Sequence, residues 1–152
     1  MTPRIRGARM RVRFVALAAA AVAAAALAPT GTADATPPRD TEGTVIWQTS
    51  DAGKDYILRE ITIAPGGSTG WHSHDGELLG VVKEGVLMHY RADCSMDGMY
   101  VTGQSIAEKG GPDYVHIGRN LGPGPLVLQV LYIDPGGSPL SDDQPDPGCG
   151  FA

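Results

Sequence analysis

Regular helical periodicity is missing from this chain of 152 residues, which argues against helical layers. A membrane-length apolar run is missing too. The longest, Phe14 to Ala28, has about 15 residues, against the roughly 20 that a spanning helix needs, so no stable membrane anchor is expected. Neither a Ser–His–Asp arrangement nor a pair of carboxylates suggests hydrolytic chemistry of those kinds. Cysteine is limited to Cys94 and Cys149, and no internal repeat appears beyond a general strand–turn rhythm.

The first 35 residues read as a targeting segment. Arg4, Arg6, Arg9, Arg11 and Arg13 make a basic start. The apolar run follows at the length of a secretory h-region, and Ala33-Asp34-Ala35 fits a small-x-small cleavage site with Thr36 as the first mature residue. Ala26-Leu27-Ala28 fits the same pattern but is followed by Pro29, and an uncleaved Ala-rich anchor is the plainer alternative. There is no Arg-Arg pair, which favours general secretion over the twin-arginine route. An extracytoplasmic, secreted protein is expected.

Setting the leader aside leaves little positive charge. The whole chain has 12 Lys+Arg and 17 Asp+Glu; the first 35 residues hold five of the arginines and one aspartate, leaving 7 and 16, a formal net of −9. With no basic stripe to neutralise phosphates, nucleic acid and anionic membranes are poor partners. The remaining 117 residues suit one domain with a single core.

Short β-branched and aromatic runs between Gly/Pro punctuation predict an all-β barrel or sandwich. A flexible Pro-rich lead-in covers residues 36–44, the barrel residues 45–134, and a Pro/Gly-rich tail residues 135–152. Strands are predicted over Val45–Thr49 and over Lys54–Ile63, the latter stopped by Pro65-Gly66-Gly67. Leu78–Val82 follows, joined at Glu84-Gly85 in a hairpin to Val86–Arg91. Asp93–Gly98 reads as a polar loop. Tyr100–Thr102 leads to a Gly-rich loop at Gly110-Gly111-Pro112, and the last two strands are Tyr114–Ile117 and Leu126–Ile133.

In an exported chain the two thiols are expected to oxidise. The tail after Ile133 has few apolar residues with which to dock. A Cys94–Cys149 disulfide would fasten it and contribute up to roughly 4 kcal/mol by restricting the unfolded chain. Free thiols, or one thiol acting as a metal ligand, are the alternatives.

The chemistry sits in Gly66-Gly67-Ser68-Thr69-Gly70-Trp71-His72-Ser73-His74-Asp75-Gly76-Glu77. Alternation along a strand puts His72 and His74 on one face, and His116 lies in a later strand-like run. The run Gly66, His72, His74 and Gly85 resembles the first motif of the cupin superfamily: a glycine, His-x-His, a glutamate and a closing glycine. Gly103, the Gly110-Gly111 turn, His116 and Asn120 are similar to the second motif, keeping its His-to-Asn spacing; Lys109-Gly110-Gly111 replaces its Pro-x-Gly element. The resemblance covers roughly Val45 to Ile133 and implies a single jelly-roll β-barrel, a small secreted single-domain cupin.

Three of the four histidines fall on motif positions. The resemblance therefore implies metal binding by His72, His74 and His116. Such imidazoles suit Zn²⁺, Cu²⁺, Mn²⁺, Fe²⁺ or Ni²⁺ and leave positions open for water, substrate or dioxygen. In an exported protein, raw affinity favours Cu²⁺ or Zn²⁺ over iron. The acidic ligand departs from the pattern. Counting back from Gly85 puts it at Leu78, one residue from Glu77, and a one-residue slip turns a strand side chain to the other face. Either a bulge near Asp75-Gly76 brings Glu77 inward or the acidic ligand is absent.

Other pocket candidates are Trp71, with core packing as the default; His89, more simply a plain strand histidine; and Gln129, mid-strand in an apolar run. Asn120 reads as a turn-stabilising residue, and Met88, Met96 and Met99 as packing or loop residues. Two functions stand side by side: a metal-dependent enzyme on a small organic molecule, and a non-catalytic small-ligand-binding or structural cupin without metal. An inward Glu77 would favour the first. The resemblance also implies homodimerisation through barrel edges.

Overall fold

The computed structural model describes residues 34–151 together with Met1. The targeting segment lies almost wholly outside the described residues. Among them the regular elements are ten strands and no helix, so none is long and apolar enough to cross a membrane.

Local backbone chemistry sets the first hairpin. β1 (Arg39–Asp51) and β2 (Lys54–Ser68) pair antiparallel, with Asp51 opposite Lys54. The two residues between them, Ala52 and Gly53, have φ of 49° and 78°. Both central residues of a type I′ hairpin turn need positive φ, and glycine adopts it without steric cost. β2 then pairs with β9 (Leu126–Pro135), β9 with β4 (Glu77–Glu84), and β4 with β7 (Ser105–Glu108). A second layer runs β10 (Asp142–Asp143), β3 (His72–His74), β8 (Gly111–Arg119), β5 (Val86–Arg91), β6 (Met96–Val101). All pairings are antiparallel, and the layers join where Ser68 of β2 meets Arg119 of β8. Apart from the β1–β2 and β5–β6 hairpins, each connection carries the chain from one layer to the other. This is the jelly-roll barrel expected.

Alternation fills it. On β2, Ile61 and Ile63 face inward; on β9, Leu126, Leu128, Val130 and Tyr132; on β4, Leu78 and Val82; Leu87 and Ile106 complete the cluster. Each fully buried aliphatic contributes about 1.5–3 kcal/mol, and the layers are held together chiefly by these residues.

Several boundaries differ from expectation. β1 starts at Arg39, so most of the lead-in is strand: a polar segment forms an edge when its neighbour offers a ladder. Pro65 does not end β2; it lies in the irregular stretch between Ile63 and Ser68, where the ladder needs no N–H from it. Glu84-Gly85 is not a hairpin, because β4 pairs with β7 and β9 while β5 pairs with β6 and β8. Gly85 (φ 82°) is the corner between layers, and a Cβ there would lie 2.6 Å from the Pro125 carbonyl oxygen. Met96–Gly98, read as loop, begins β6. β7 was missed.

The Cys94–Cys149 disulfide is present, with Cα atoms 5.4 Å apart. The tail nevertheless has apolar anchors of its own. Leu140 packs against the core cluster. Phe151 packs on Tyr90, with ring centroids 4.8 Å apart, and on Trp71, at 5.9 Å.

Candidate metal centre

The layered fold brings four donors to one point inside the barrel. β3 supplies His72 and His74, and β8 supplies His116, directly opposite His72 in the ladder. The fourth is Glu108, the last residue of β7. One donor atom from each lies within 4.8 Å of all the others. His116 Nε2 is 3.1 Å and His74 Nε2 3.3 Å from Glu108 Oε2.

Backbone carbonyls orient the imidazoles. Nδ1 of His72 bonds to the Gly70 oxygen at 2.9 Å, Nδ1 of His116 to the Tyr114 oxygen at 3.0 Å, and Nδ1 of His74 to the Leu140 oxygen at 2.7 Å. A carbonyl can only accept, so each Nδ1 carries a hydrogen and Nε2 is the ring nitrogen left to bind a metal. Fixing the outer nitrogen in this way is how proteins aim histidine at a metal. The inner atoms have no such partner: Nε2 of His74, His89 and His116 are buried without a hydrogen bond, and their short approaches to Glu108 lack hydrogen-bond geometry. Orphaned buried nitrogens are costly, and a divalent cation would satisfy those of His74 and His116.

The electrostatics agree. Burial, then the neighbouring His116 and His74, lowers the pKa of His72 to about 3, so its imidazole is neutral. Burial opposes ionisation of Glu108, but His116, His74 and His89 more than offset it and hold the carboxyl well below its ordinary range. Three imidazoles and one carboxylate suit borderline divalent ions.

Glu77 is not part of this centre. It is exposed at the start of β4, paired with Ile133. The position counted back from Gly85 is Leu78, and Leu78 does face the cavity. Its partner across the ladder in β7 is Glu108. Directly opposed residues of an antiparallel pair share a face. The carboxylate therefore enters one strand over from the expected position. The signal for it was the Ile106-x-Glu108 alternation just before Gly110-Gly111.

His89 also lines the cavity, contrary to the plainer expectation. Its Nδ1 lies 3.0 Å from Asp97 Oδ2, and its Nε2 3.4 Å from Glu108 Oε1. Asp97 also accepts from the Tyr114 hydroxyl at 3.0 Å and pairs with Arg91. Burial would raise its pKa, but Arg91, Tyr114 and His89 together bring it below the ordinary value. Trp71 is fully buried and packs on Phe151 rather than lining the cavity. Gln129 is half-buried between two cavity-lining residues, Leu128 and Val130, so alternation turns it away. Asn120 is the turn residue expected: its Nδ2 donates to the Ile63 and Gly124 oxygens and its Oδ1 accepts from Gly122 N. Met96 and Met99 are exposed, and among the described residues no methionine lines the cavity.

The cavity beside the donors measures about 50 Å³, room for a few waters or a small organic fragment. Beyond the donors and His89 its walls are mainly aliphatic, with Thr69 and Tyr132 as the polar exceptions and, among the described residues, no lysine or arginine. Burial raises the Tyr132 pKa to about 12, so its phenol stays neutral.

No protein-family model and no curated protein matches the chain. Solved structures do. The polyketide cyclase RemF from Streptomyces resistomycificus is 22% identical, with TM-score 0.57 over 73% of this chain and 78% of that one. A double-stranded β-helix domain protein from Klebsiella pneumoniae is 20% identical, with TM-score 0.56 over 72% and 80%. The cupin domain of an XRE family transcriptional regulator from Enterobacter cloacae is 20% identical, with TM-score 0.52 over 64% and 99%. The likeness is one of fold: this chain has the cupin barrel.

Proposed function

We propose that this protein binds one divalent metal ion through His72, His74, Glu108 and His116 and uses it on a small, largely apolar molecule. The observation carrying this reading is the convergence of four donor atoms within 4.8 Å, two of them imidazole nitrogens buried without a hydrogen-bond partner. When bound, such an ion acts as a Lewis acid and lowers the pKa of coordinated water.

The chain's own groups complete the site. Asp97, kept ionised by Arg91, accepts the Nδ1 hydrogen of His89, so Nε2 of His89 faces the cavity as a proton acceptor for a bound molecule. The aliphatic walls exclude water, which strengthens polar interactions at the donors. Among the described residues no cationic side chain lines the cavity, so a dicarboxylate would have only the metal to offset its charge; a neutral molecule with one oxygen directed at the ion fits better. A second reading, ligand binding without turnover, is supported by the mostly aliphatic lining.

Elemental mass spectrometry of the purified protein, beside His72→Ala/His74→Ala and Glu108→Ala variants, tests the metal. About one ion per chain, lost in the variants, is expected. No metal, and no uptake of added Zn²⁺, Cu²⁺, Mn²⁺ or Fe²⁺ by the folded protein, would end the metalloprotein reading.

Export belongs to the same proposal. The basic start and the short apolar run support it, as does a disulfide, which persists in oxidising compartments. The mature protein would begin at Thr36, and N-terminal sequencing of protein from the culture medium checks this. Pairing of two copies is supported by the edge of β1 that is unpaired among the described residues, with exposed Val45, Ile46 and Trp47; sedimentation gives the answer.

A further inference from the structure

Two of the ligand imidazoles are oriented locally. His72 and His116 each use a carbonyl two residues upstream. His74 depends on Leu140, 66 positions away. That contact is one of a series in which the C-terminal tail follows the ligand strand. Ser138 Oγ donates to Asp75 at 2.8 Å. Asp142 and Asp143 pair with Ser73 and His72. Gln144 N donates to the Trp71 oxygen at 2.7 Å. Beyond these, Phe151 lies between Tyr90, Trp71 and the Arg119 guanidinium, and Cys149 is bonded to Cys94 in the β5–β6 loop. β3 is only three residues long. It bears two of the four donors, and among the described residues one of its two edges is completed by this tail alone.

We propose that residues 138–151 form a strap that positions His74 for the metal, with the Cys94–Cys149 disulfide as its clasp. The disulfide then sets metal affinity without touching the metal. It keeps the strap at high effective concentration over β3, so that the Leu140 carbonyl always holds the Nδ1 hydrogen and Nε2 always points inward. Without the clasp the strap opens part of the time and His74 is free to rotate away. The proposal rests on the metal-centre reading.

The test uses the full-length protein with Zn²⁺ and Co²⁺ as the probes. Affinity is measured by chelator competition in the wild type, in Cys94→Ser/Cys149→Ser, and in Phe151→Ala with the disulfide intact. Loss of an outer partner of a ligating histidine costs about 10- to 100-fold in affinity, and the double variant should weaken Zn²⁺ binding within that range. The Gln144 amide should exchange faster with solvent, and the Co²⁺ visible spectrum should change as His74 leaves the ion; a tail with a merely stabilising role would leave that spectrum alone. Phe151→Ala should shift affinity in the same direction by a smaller factor, which covers the case in which the double variant fails to fold. Unchanged affinity and Co²⁺ spectrum with a faster-exchanging Gln144 would overturn the strap while leaving the metal reading intact. A wild type that binds neither ion would overturn both.

Discussion

Exchanging two residues across one ladder tests the metal centre most directly. Glu108 and Leu78 are paired on adjacent strands and both line the cavity, so their Cβ atoms sit roughly 4.5–5.5 Å apart on one face. Glu108→Leu removes one of four donors and leaves three imidazoles. A drop of about 100-fold in Zn²⁺ affinity, roughly 2.7 kcal/mol, is expected, since each tenfold is about 1.4 kcal/mol. Leu78→Glu/Glu108→Leu returns a carboxylate from the neighbouring strand with total side-chain volume nearly kept, a change that cores tolerate. Affinity should recover to within about tenfold of wild type. Chelator competition reads both numbers, and thermal unfolding checks that the barrel persists. A folded exchange variant that binds no better than Glu108→Leu alone would refute the reasoning, because the carboxylate's place on the shared face would then not matter.

Three further outcomes follow from the same geometry. The metal-free protein should lose stability as pH falls from about 6.5, because His72 titrates near 3 when folded and the unfolded chain binds more protons in between; the depressed Glu108 adds to the loss below its ordinary range. Urea unfolding at several pH values reads it, and a flat profile from 7 to 4 would contradict it. Cys94→Ser/Cys149→Ser should cost up to about 4 kcal/mol in urea unfolding for a loop of 55 residues, and a loss under about 1 kcal/mol would mean that Leu140 and Phe151 hold the tail unaided. His89→Ala should keep one metal per chain while lowering turnover of any substrate by about 10²–10⁴-fold; loss of the metal instead would make His89 a ligand.

Much of the barrel is legible in the order of residues because strands are local. Ile61 and Ile63, Leu126 through Tyr132, and Leu78 with Val82 alternate as half-buried strands must, and His72-Ser73-His74 needs only that same alternation to put two imidazoles together. The disulfide was equally readable, since two thiols in a chain expected to be exported have few other fates. What failed were connections. Glu84-Gly85 has the composition of a hairpin turn, yet it is a corner between layers, because β4 finds its partners in β7 and β9. The short strand Ser105–Glu108 was hidden beside a glycine-rich loop.

Residue types and spacing, then, determined an all-β fold and a tethered tail, and the motif resemblance implied the barrel and three histidines for one wall. Tertiary structure alone decided which carboxylate joins them and which carbonyl aims His74. Glu77 and Glu108 are both glutamates at strand ends, and one is exposed while the other is buried among imidazoles. Ladder register chooses between them, and register is set by pairing between strands far apart in the chain. The Leu140 carbonyl is a backbone group, which every residue possesses; only the return of the tail along β3 gives it a role.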